Sequence, residues 1–189
     1  MPTPSLVQEH DWLMRAQRDR DPHAFGQLVA LHQGRVRAVL RKLTRGQQAL
    51  ADELAQETFI KAWRALPTFR HGAQWSTWLH RIAYLEFLQH QRRWADEQAQ
   101  RSHASDTPNG AATVPAHDLR MDLENALAQL HPLETAAIVY CYHGGLSHAE
   151  AARVMDLPLG TVKSHVLRGR AKLQQLLAAW KPADTEDPT

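Results

Sequence analysis

The chain has 189 residues, of which 43% are hydrophobic and 22% are charged, a balance typical of a globular protein with one or two small domains. The chain has 22 lysines and arginines and 20 aspartates and glutamates, which gives a net charge of only +2. A nucleic-acid partner therefore has to be bound by a local basic patch and not by the net charge. Cys141 is the single cysteine, which excludes an intrachain disulfide and predicts a cytoplasmic protein.

Several functional classes are disfavoured by what the sequence lacks. The N-terminus has no basic start and apolar run of a signal peptide, and no apolar stretch is long enough for membrane insertion. The twelve histidines are scattered without metal-ligand spacing, so we expect no metal and no cofactor. No nucleophile–base set or phosphate-binding loop is present, so we expect no catalytic residue, and an enzyme is the least favoured class.

The pattern of apolar residues predicts helices and no strands. Helical spacing covers about residues 21–43, then 48–66 up to Pro67, then 76–97. Small polar residues and two prolines follow, which is typical of a linker. We therefore predict an all-α fold of two small helical domains, at 1–97 and 118–180, joined by a flexible linker at 98–117 and followed by a disordered tail at 181–189.

The second predicted helix has two different faces. Leu54, Thr58 and Ala62 lie on an arc that must face the core, whereas carboxylates lie on the opposite arc. Ile60 projects from within the acidic arc, which indicates an interface with a basic protein. A solvated face with one stray isoleucine is the alternative. The predicted interface residues are Asp52, Glu53, Gln56, Glu57 and Ile60.

An aromatic and basic segment connects the second and third helices. Trp75 and Trp78 lie three residues apart, beside Gly72 and several basic groups. Stacking rings next to cations suit single-stranded nucleic acid, although core anchors are the alternative for the tryptophans. The basic character continues along the third helix. The candidate residues for this contact are Phe69, Arg70, Trp75, Thr77, Trp78, Arg81, Arg92 and Arg93.

A helix-turn-helix is predicted in the second domain. Ser147 and Glu150 form a capping box at the start of one helix, and the residues before Pro158 end that helix. Gly160 and Thr161 open a second, basic helix, which is the order of a DNA-reading unit.

One side of the second helix of this unit is predicted to pack against the preceding helix. That side carries Val162, Val166, Gly169 and Leu173. Arg168 is suited to reading guanine or gripping a phosphate, and the lysines to phosphate contacts. A basic solvated face on a three-helix bundle is the alternative. The predicted DNA contacts are Thr161, Lys163, Ser164, His165, Arg168 and Lys172.

Four segments in this order resemble one family, the bacterial RNA polymerase sigma factors of the extracytoplasmic-function (ECF) type. They are Ala24-Phe25, residues 52–63, residues 75–83 and residues 160–165. The resemblance covers about residues 21–93 and 118–177, most of the chain. It implies a sigma region 2-like bundle followed by a region 4-like helix-turn-helix.

The resemblance also implies partners. The acidic arc would dock on the β′ clamp helices of core RNA polymerase, and the aromatic segment would capture the minus-ten strand of promoter DNA with a base flipped out. The C-terminal unit would read the minus-thirty-five element and contact the β flap. An anti-sigma factor is the further implied partner.

The chain departs from the family pattern after Ala83. Tyr84, Leu85 and Gln89 stand where the family has a basic residue, an asparagine and an aspartate. The asparagine helps to hold the flipped base, so Leu85 predicts an altered minus-ten preference. His165 stands where arginine is common, which predicts weakened or retuned upstream contacts.

Two other functions stay open at this point. A helix-turn-helix regulator that binds an operator and recruits no polymerase explains the second domain alone. A helical adaptor that binds only protein explains the acidic arc alone.

Overall fold

The computed structural model describes residues 6–70, 74–102 and 119–178. Within these ranges the chain forms helices and no strands, which confirms the predicted all-α class. The predicted tail at 181–189 and the predicted linker from residue 103 onward lie outside the described residues. The first five residues of that predicted linker are instead helical, because the fourth helix continues to Ser102.

The N-terminal unit contains four helices. They are α1 (Leu6–Arg18), α2 (Pro22–Leu43), α3 (Gln48–Ala65) and α4 (Trp75–Ser102), with a short 3₁₀ helix at Leu66–Thr68. The helices predicted at 21–43, 48–66 and 76–97 are thus confirmed within a few residues. Asp21 caps α2 by accepting hydrogen bonds from the backbone N–H groups of His23 and Ala24.

Helix α1 was not predicted, and it holds the start of the aromatic segment in place. Leu13 and Ala16 bury one side of α1 in the core. The Gln17 amide donates hydrogen bonds to the backbone oxygens of Leu66, at 3.1 Å, and Phe69, at 2.7 Å. These two carbonyls flank the 3₁₀ helix that follows α3, so the Gln17 side chain fixes the chain as it enters the aromatic segment.

The C-terminal unit also contains four helices. They are α5 (Leu119–Ala128), α6 (Pro132–Ile138), α7 (His148–Met155) and α8 (Leu159–Leu176), and α6 runs into a π-helical turn at Val139–His143. The capping box is confirmed, because Ser147 Oγ accepts from the Glu150 N–H and the Glu150 carboxylate accepts from the Ser147 N–H. Asp156, with φ of 58°, ends α7 in the left-handed conformation.

The two units share one hydrophobic core. Tyr140, in the π-helical turn, is fully buried, and its ring meets the rings of His80 and Tyr84 of α4 edge-on at 5.7 and 5.8 Å. Helix α7 packs along the N-terminal half of α4. The sequence indicated two domains joined only by a linker, whereas the described residues form units that lie directly against each other. We call this packing the closed arrangement.

Candidate protein and nucleic-acid interfaces

The carboxylates of α3 lie on an open surface, as the helical pattern predicts. The residues assigned to the core arc, including Leu54, Thr58 and Ala62, are buried. Glu53, Gln56 and Glu57 are exposed on the opposite side, and 42% of Ile60 is exposed among them. Asp52 is half-buried and pairs with Arg37, its carboxylate oxygen 3.4 Å from Nε. We call the five residues Asp52, Glu53, Gln56, Glu57 and Ile60 the acidic face.

A basic residue next to the acidic face is turned away from it. Lys61 Nζ donates to both carboxylate oxygens of Glu86 in α4, at 2.6 and 2.7 Å, and to the side-chain oxygen of Gln89. Glu86 is buried, and burying a carboxylate is tolerated when a cation pairs with it. The pair therefore links α3 to α4, and the charge of Lys61 is neutralised by Glu86.

The aromatic residues before and within α4 form a cluster of three rings. The centroids of Phe69, Trp75 and Trp78 lie 5.0–5.5 Å apart. Phe69 and Trp75 are buried, which is the position that the core-anchor alternative expects for Trp75. Trp78 is half-buried and keeps accessible ring surface. The intervening residues 71–73 lie outside the described residues.

The other candidate residues, Arg70 before α4 and the rest on α4, differ in their accessibility. Arg70, Arg92 and Arg93 are exposed. Thr77 and Arg81, in contrast, contact the helix-turn-helix unit: Arg81 donates to the Val154 backbone oxygen at 2.8 Å and to Asp156 Oδ2 at 2.9 Å. The Thr77 hydroxyl lies 3.5 Å from a carboxylate oxygen of Glu150. In the closed arrangement, therefore, α7 covers part of the surface that the sequence assigns to nucleic acid.

His80 lies at the boundary between the two units and is held neutral. Burial lowers its pKa to about 4, with further lowering by the charges of His32 and Arg35. Its Nδ1 is buried without a hydrogen-bond partner among the described residues. The closed arrangement therefore buries a histidine that would be partly protonated in water near pH 6.

The outer side of α8 carries polar and basic residues. Val162, Val166 and Gly169 are buried as the helical pattern predicts. Lys163 and Ser164 are exposed, and Thr161 is half-buried beside them. The Ser164 hydroxyl donates back to the Gly160 carbonyl at 2.9 Å, so its remaining capacity is that of an acceptor.

Arg168 and Lys172 form a flank of α8 that is tied to α6. The buried carboxylate of Glu134 accepts from Lys172 Nζ at 2.8 Å and lies 3.5 Å from Arg168 Nε. Burial raises the pKa of Glu134, but hydrogen bonds from Lys172, the His131 N–H and Arg168 outweigh it and lower the pKa below its ordinary value. Both cations thus already have a carboxylate partner.

His165 faces inward, toward α6. It is buried and stacks on His131 with ring centroids 6.4 Å apart, and its Nδ1 lies 3.1 Å from Arg168 Nη2. Burial, and then the charge of Arg168, lowers its pKa. This position lets His165 orient Arg168 but keeps it away from the outer side of α8.

Comparison with protein families and curated relatives identifies the two units. Residues 28–96 match the family model described as Sigma-70 region 2, and residues 120–173 match Sigma-70, region 4. The chain is 33% identical to RNA polymerase sigma factor NccH of Alcaligenes xylosoxydans xylosoxydans, over 87% of this chain and 92% of that one. It is 32% identical to ECF RNA polymerase sigma factor SigM of Mycobacterium tuberculosis, over 87% and 83%. The chain belongs to the ECF family of RNA polymerase sigma factors.

A further relative and two solved structures agree with this assignment. ECF RNA polymerase sigma factor SigE of Mycolicibacterium smegmatis is 36% identical over 82% of this chain, a match that spans 62% of that relative. The sigma factor RpoE in complex with the anti-sigma factor NepR, from Bartonella quintana, superposes with a TM-score of 0.70 at 29% identity, covering 83% of this chain and 98% of that one. CnrH in complex with the cytosolic domain of CnrY gives 0.65 at 26%, covering 93% and 97%.

These matches identify the N-terminal unit as sigma region 2 and the C-terminal unit as sigma region 4. The relatives of the chain are named as sigma factors, which are transcription initiation factors and not enzymes. In residues 6–70, 74–102 and 119–178 no group of three histidine, cysteine, aspartate or glutamate side chains is arranged to hold a metal ion. No helix in the described part of the chain combines the length and apolar character needed to cross a bilayer.

One residue of the outer side of α8 was missed by the sequence analysis. Leu167 is exposed, on the side opposite Val162, Val166 and Gly169. The same helical spacing that predicted the buried side also gives this position, but the search for candidate contacts considered only polar and charged residues. The contacts of Arg81 with Val154 and Asp156, and of Arg168 with Glu134, had no comparable sequence signal, because the partners lie 34–75 positions away.

We predict that the sigma factor loses stability as pH falls from about 6.5 to about 4, partly through His80. The unfolded chain gains a proton on this residue below pH 6.5, whereas the folded chain resists it down to about pH 4, so the free energy of unfolding falls by up to about 3 kcal/mol. Denaturant unfolding at pH 7, 6 and 5 should therefore show a weaker pH dependence for His80→Gln than for wild type. His23→Gln, at an exposed histidine, is the control and should match wild type. Parallel curves for wild type and His80→Gln would refute the assignment.

Proposed function

We propose that this ECF sigma factor binds core RNA polymerase and directs promoter-specific initiation. In this proposal the region 2 unit reads and melts the minus-ten element, and the region 4 unit reads the minus-thirty-five element. The observation that carries it is the exposed acidic face of α3, with Ile60 among its carboxylates and Lys61 turned away toward Glu86. A protein that only reads DNA needs α8 and has no use for such a surface.

The acidic face is proposed to dock on the β′ clamp helices. Exposed carboxylates steer a basic partner and set its orientation, whereas a desolvated isoleucine supplies apolar contact. Glu53, Gln56 and Glu57 are free of the core and accessible together with Ile60. Asp52 already pairs with Arg37, and that exposed ion pair is weak enough to be exchanged for a partner on polymerase.

The minus-ten element is proposed to lie along the aromatic cluster and α4. Trp78 offers its accessible ring for stacking, while buried Phe69 and Trp75 support it from beneath. Arg70, Arg92 and Arg93 attract the phosphates. Leu85 is exposed and apolar where the family has asparagine, so the minus-ten preference is proposed to differ from the usual one.

The minus-thirty-five element is proposed to be read by α8. In this proposal the N-terminal end of α8 leads into the groove, and it carries Thr161, Lys163 and Ser164. The flank of the helix contacts the phosphates of one DNA strand through Arg168 and Lys172. His165 acts through Arg168, which it contacts, instead of contacting a base itself. The same unit is proposed to contact the β flap.

The closed arrangement is proposed to be an inactive form. Thr77 and Arg81 contact α7, so they become available to DNA only when the units separate. The similar sigma factors RpoE and CnrH were solved in complexes, with the anti-sigma factor NepR and with CnrY. We accordingly propose that an anti-sigma factor binds this chain as well.

The alternative function is a helix-turn-helix regulator that binds an operator without recruiting polymerase. Transcription in vitro from fragmented genomic DNA, with core polymerase and with or without the protein, separates the two. New transcript starts that share upstream motifs support the sigma factor. Sequence-specific DNA binding by the protein without any new start supports the regulator.

We predict that Glu57→Lys combined with Ile60→Asp weakens binding to core polymerase by about 30-fold or more, because charge complementarity is reversed and the apolar contact is lost. Both side chains are exposed, so the fold should persist, as circular dichroism would verify. A comparable pair of substitutions at exposed positions of α1, Leu6→Asp with Asp11→Lys, serves as the matched control. Undiminished capture of the α3 variant by core polymerase would place the interface elsewhere.

We also predict that locking the closed arrangement blocks initiation. Cysteines at Thr77 and Glu150, in a Cys141→Ala background, can be joined by a short bis-maleimide with a cleavable disulfide, since these side chains are in contact. The cross-linked protein should give at least tenfold less transcript, and cleaving the linker should restore it. Each single-cysteine variant, treated identically, is the control. Full transcription by the intact cross-linked protein would show that the units need not separate.

A further inference from the structure

Leu167 is an apolar side chain on the outermost line of α8. At 71% exposed, it is the most exposed large hydrophobic residue among the described residues of the C-terminal unit. Lys163 lies one turn before it and Ala171 one turn after it, both exposed. Single exposed leucines are common and need no explanation by themselves. This one is informative because of its position on the helix that is proposed to enter the groove.

Several polar side chains near Leu167 already have partners within the protein, whereas Lys163 is exposed beside it. Arg168 and Lys172 bind the Glu134 carboxylate on the flank of α8. The Ser164 hydroxyl donates to the Gly160 carbonyl, and His165 is buried against His131. The outer side of α8 therefore offers an accessible leucine side chain next to Lys163 and Ser164, while Arg168 and Lys172 are held at the flank.

The major groove presents one apolar group that distinguishes bases, the C5-methyl of thymine. A leucine at the centre of a recognition helix matches that group in chemistry, whereas it matches neither a phosphate nor a base-edge donor. We propose that Leu167 contacts a thymine methyl in the minus-thirty-five element and selects thymine at that position. The inference rests on the proposed function, since it requires α8 to dock in the groove of the upstream element.

Uracil provides a direct test, because it pairs as thymine does and lacks only the methyl. We would substitute each thymine of the minus-thirty-five element in turn and measure binding of the holoenzyme, made with full-length protein, to each duplex. Burial of one methyl corresponds to about fourfold in affinity. Wild type should lose about fourfold at one thymine, whereas Leu167→Ala should bind the thymine and uracil duplexes equally at that position.

Two controls make the result specific. Leu176→Ala truncates another exposed leucine of the same helix, two turns beyond the proposed contact, and should keep the wild-type uracil response. Affinity of each variant for core polymerase should equal that of wild type. A Leu167→Ala variant that lost polymerase affinity and retained the uracil response would assign Leu167 to a protein contact and overturn the inference.

Two further outcomes would refute the inference. If no uracil substitution weakens wild type, or if the losses are the same in wild type and Leu167→Ala at every position, the leucine does not read a methyl. Failure of the proposed function is distinguishable, because the holoenzyme would then initiate at no promoter and no minus-thirty-five element would be defined. Promoter-specific initiation, together with the same uracil response in wild type and in Leu167→Ala, would refute only the role of Leu167.

Discussion

Burial of Tyr140 between the two units determines how the surfaces of this sigma factor are arranged. Its ring meets His80 and Tyr84 of α4, and its hydroxyl lies 3.4 Å from the His80 carbonyl. The π-helical turn that carries Tyr140 ends at Gly144, where an added Cβ would lie 2.8 Å from the Tyr140 carbonyl oxygen. The turn therefore requires glycine there. Because Tyr140 docks on α4, α7 also lies on α4, and Thr77 and Arg81 are covered.

Two polar terms in the closed arrangement have opposite signs and similar sizes. The ion pair of Arg81 with Asp156, whose carboxylate is largely exposed, contributes at most about 1 kcal/mol. The unpaired Nδ1 of His80 costs about 1–3 kcal/mol. Polar contacts thus give little net stabilisation, and the aromatic packing around Tyr140 supplies most of it. The proposed separation of the units therefore requires a partner that binds the separated form more tightly than the closed arrangement by a few kcal/mol.

Local features of the fold were predictable from sequence, and long-range ones were not. The capping box at Ser147, the end of α3 before Pro67 and the two faces of α3 follow from hydrogen-bonding and spacing rules that act within a few residues. The inward turn of His165 and the pairing of Arg168 with Glu134 depend on α6, about 34 residues earlier. Helix periodicity places a side chain on one side of its helix, but it does not identify the neighbour on that side.

Glu134 shows how a buried acid shapes a DNA-reading surface without touching DNA. By pairing with Arg168 and Lys172 it fixes two long cations at one edge of α8, which lowers the side-chain entropy that a phosphate contact would otherwise cost. The same pairing discourages these residues from swinging across the helix toward base edges, because their departure would deprive a buried carboxylate of its cationic partners. In the proposed function, phosphate contacts and base selection are thereby divided on α8: Arg168 and Lys172 lie at the flank, and Lys163, Ser164 and Leu167 lie on the outer side.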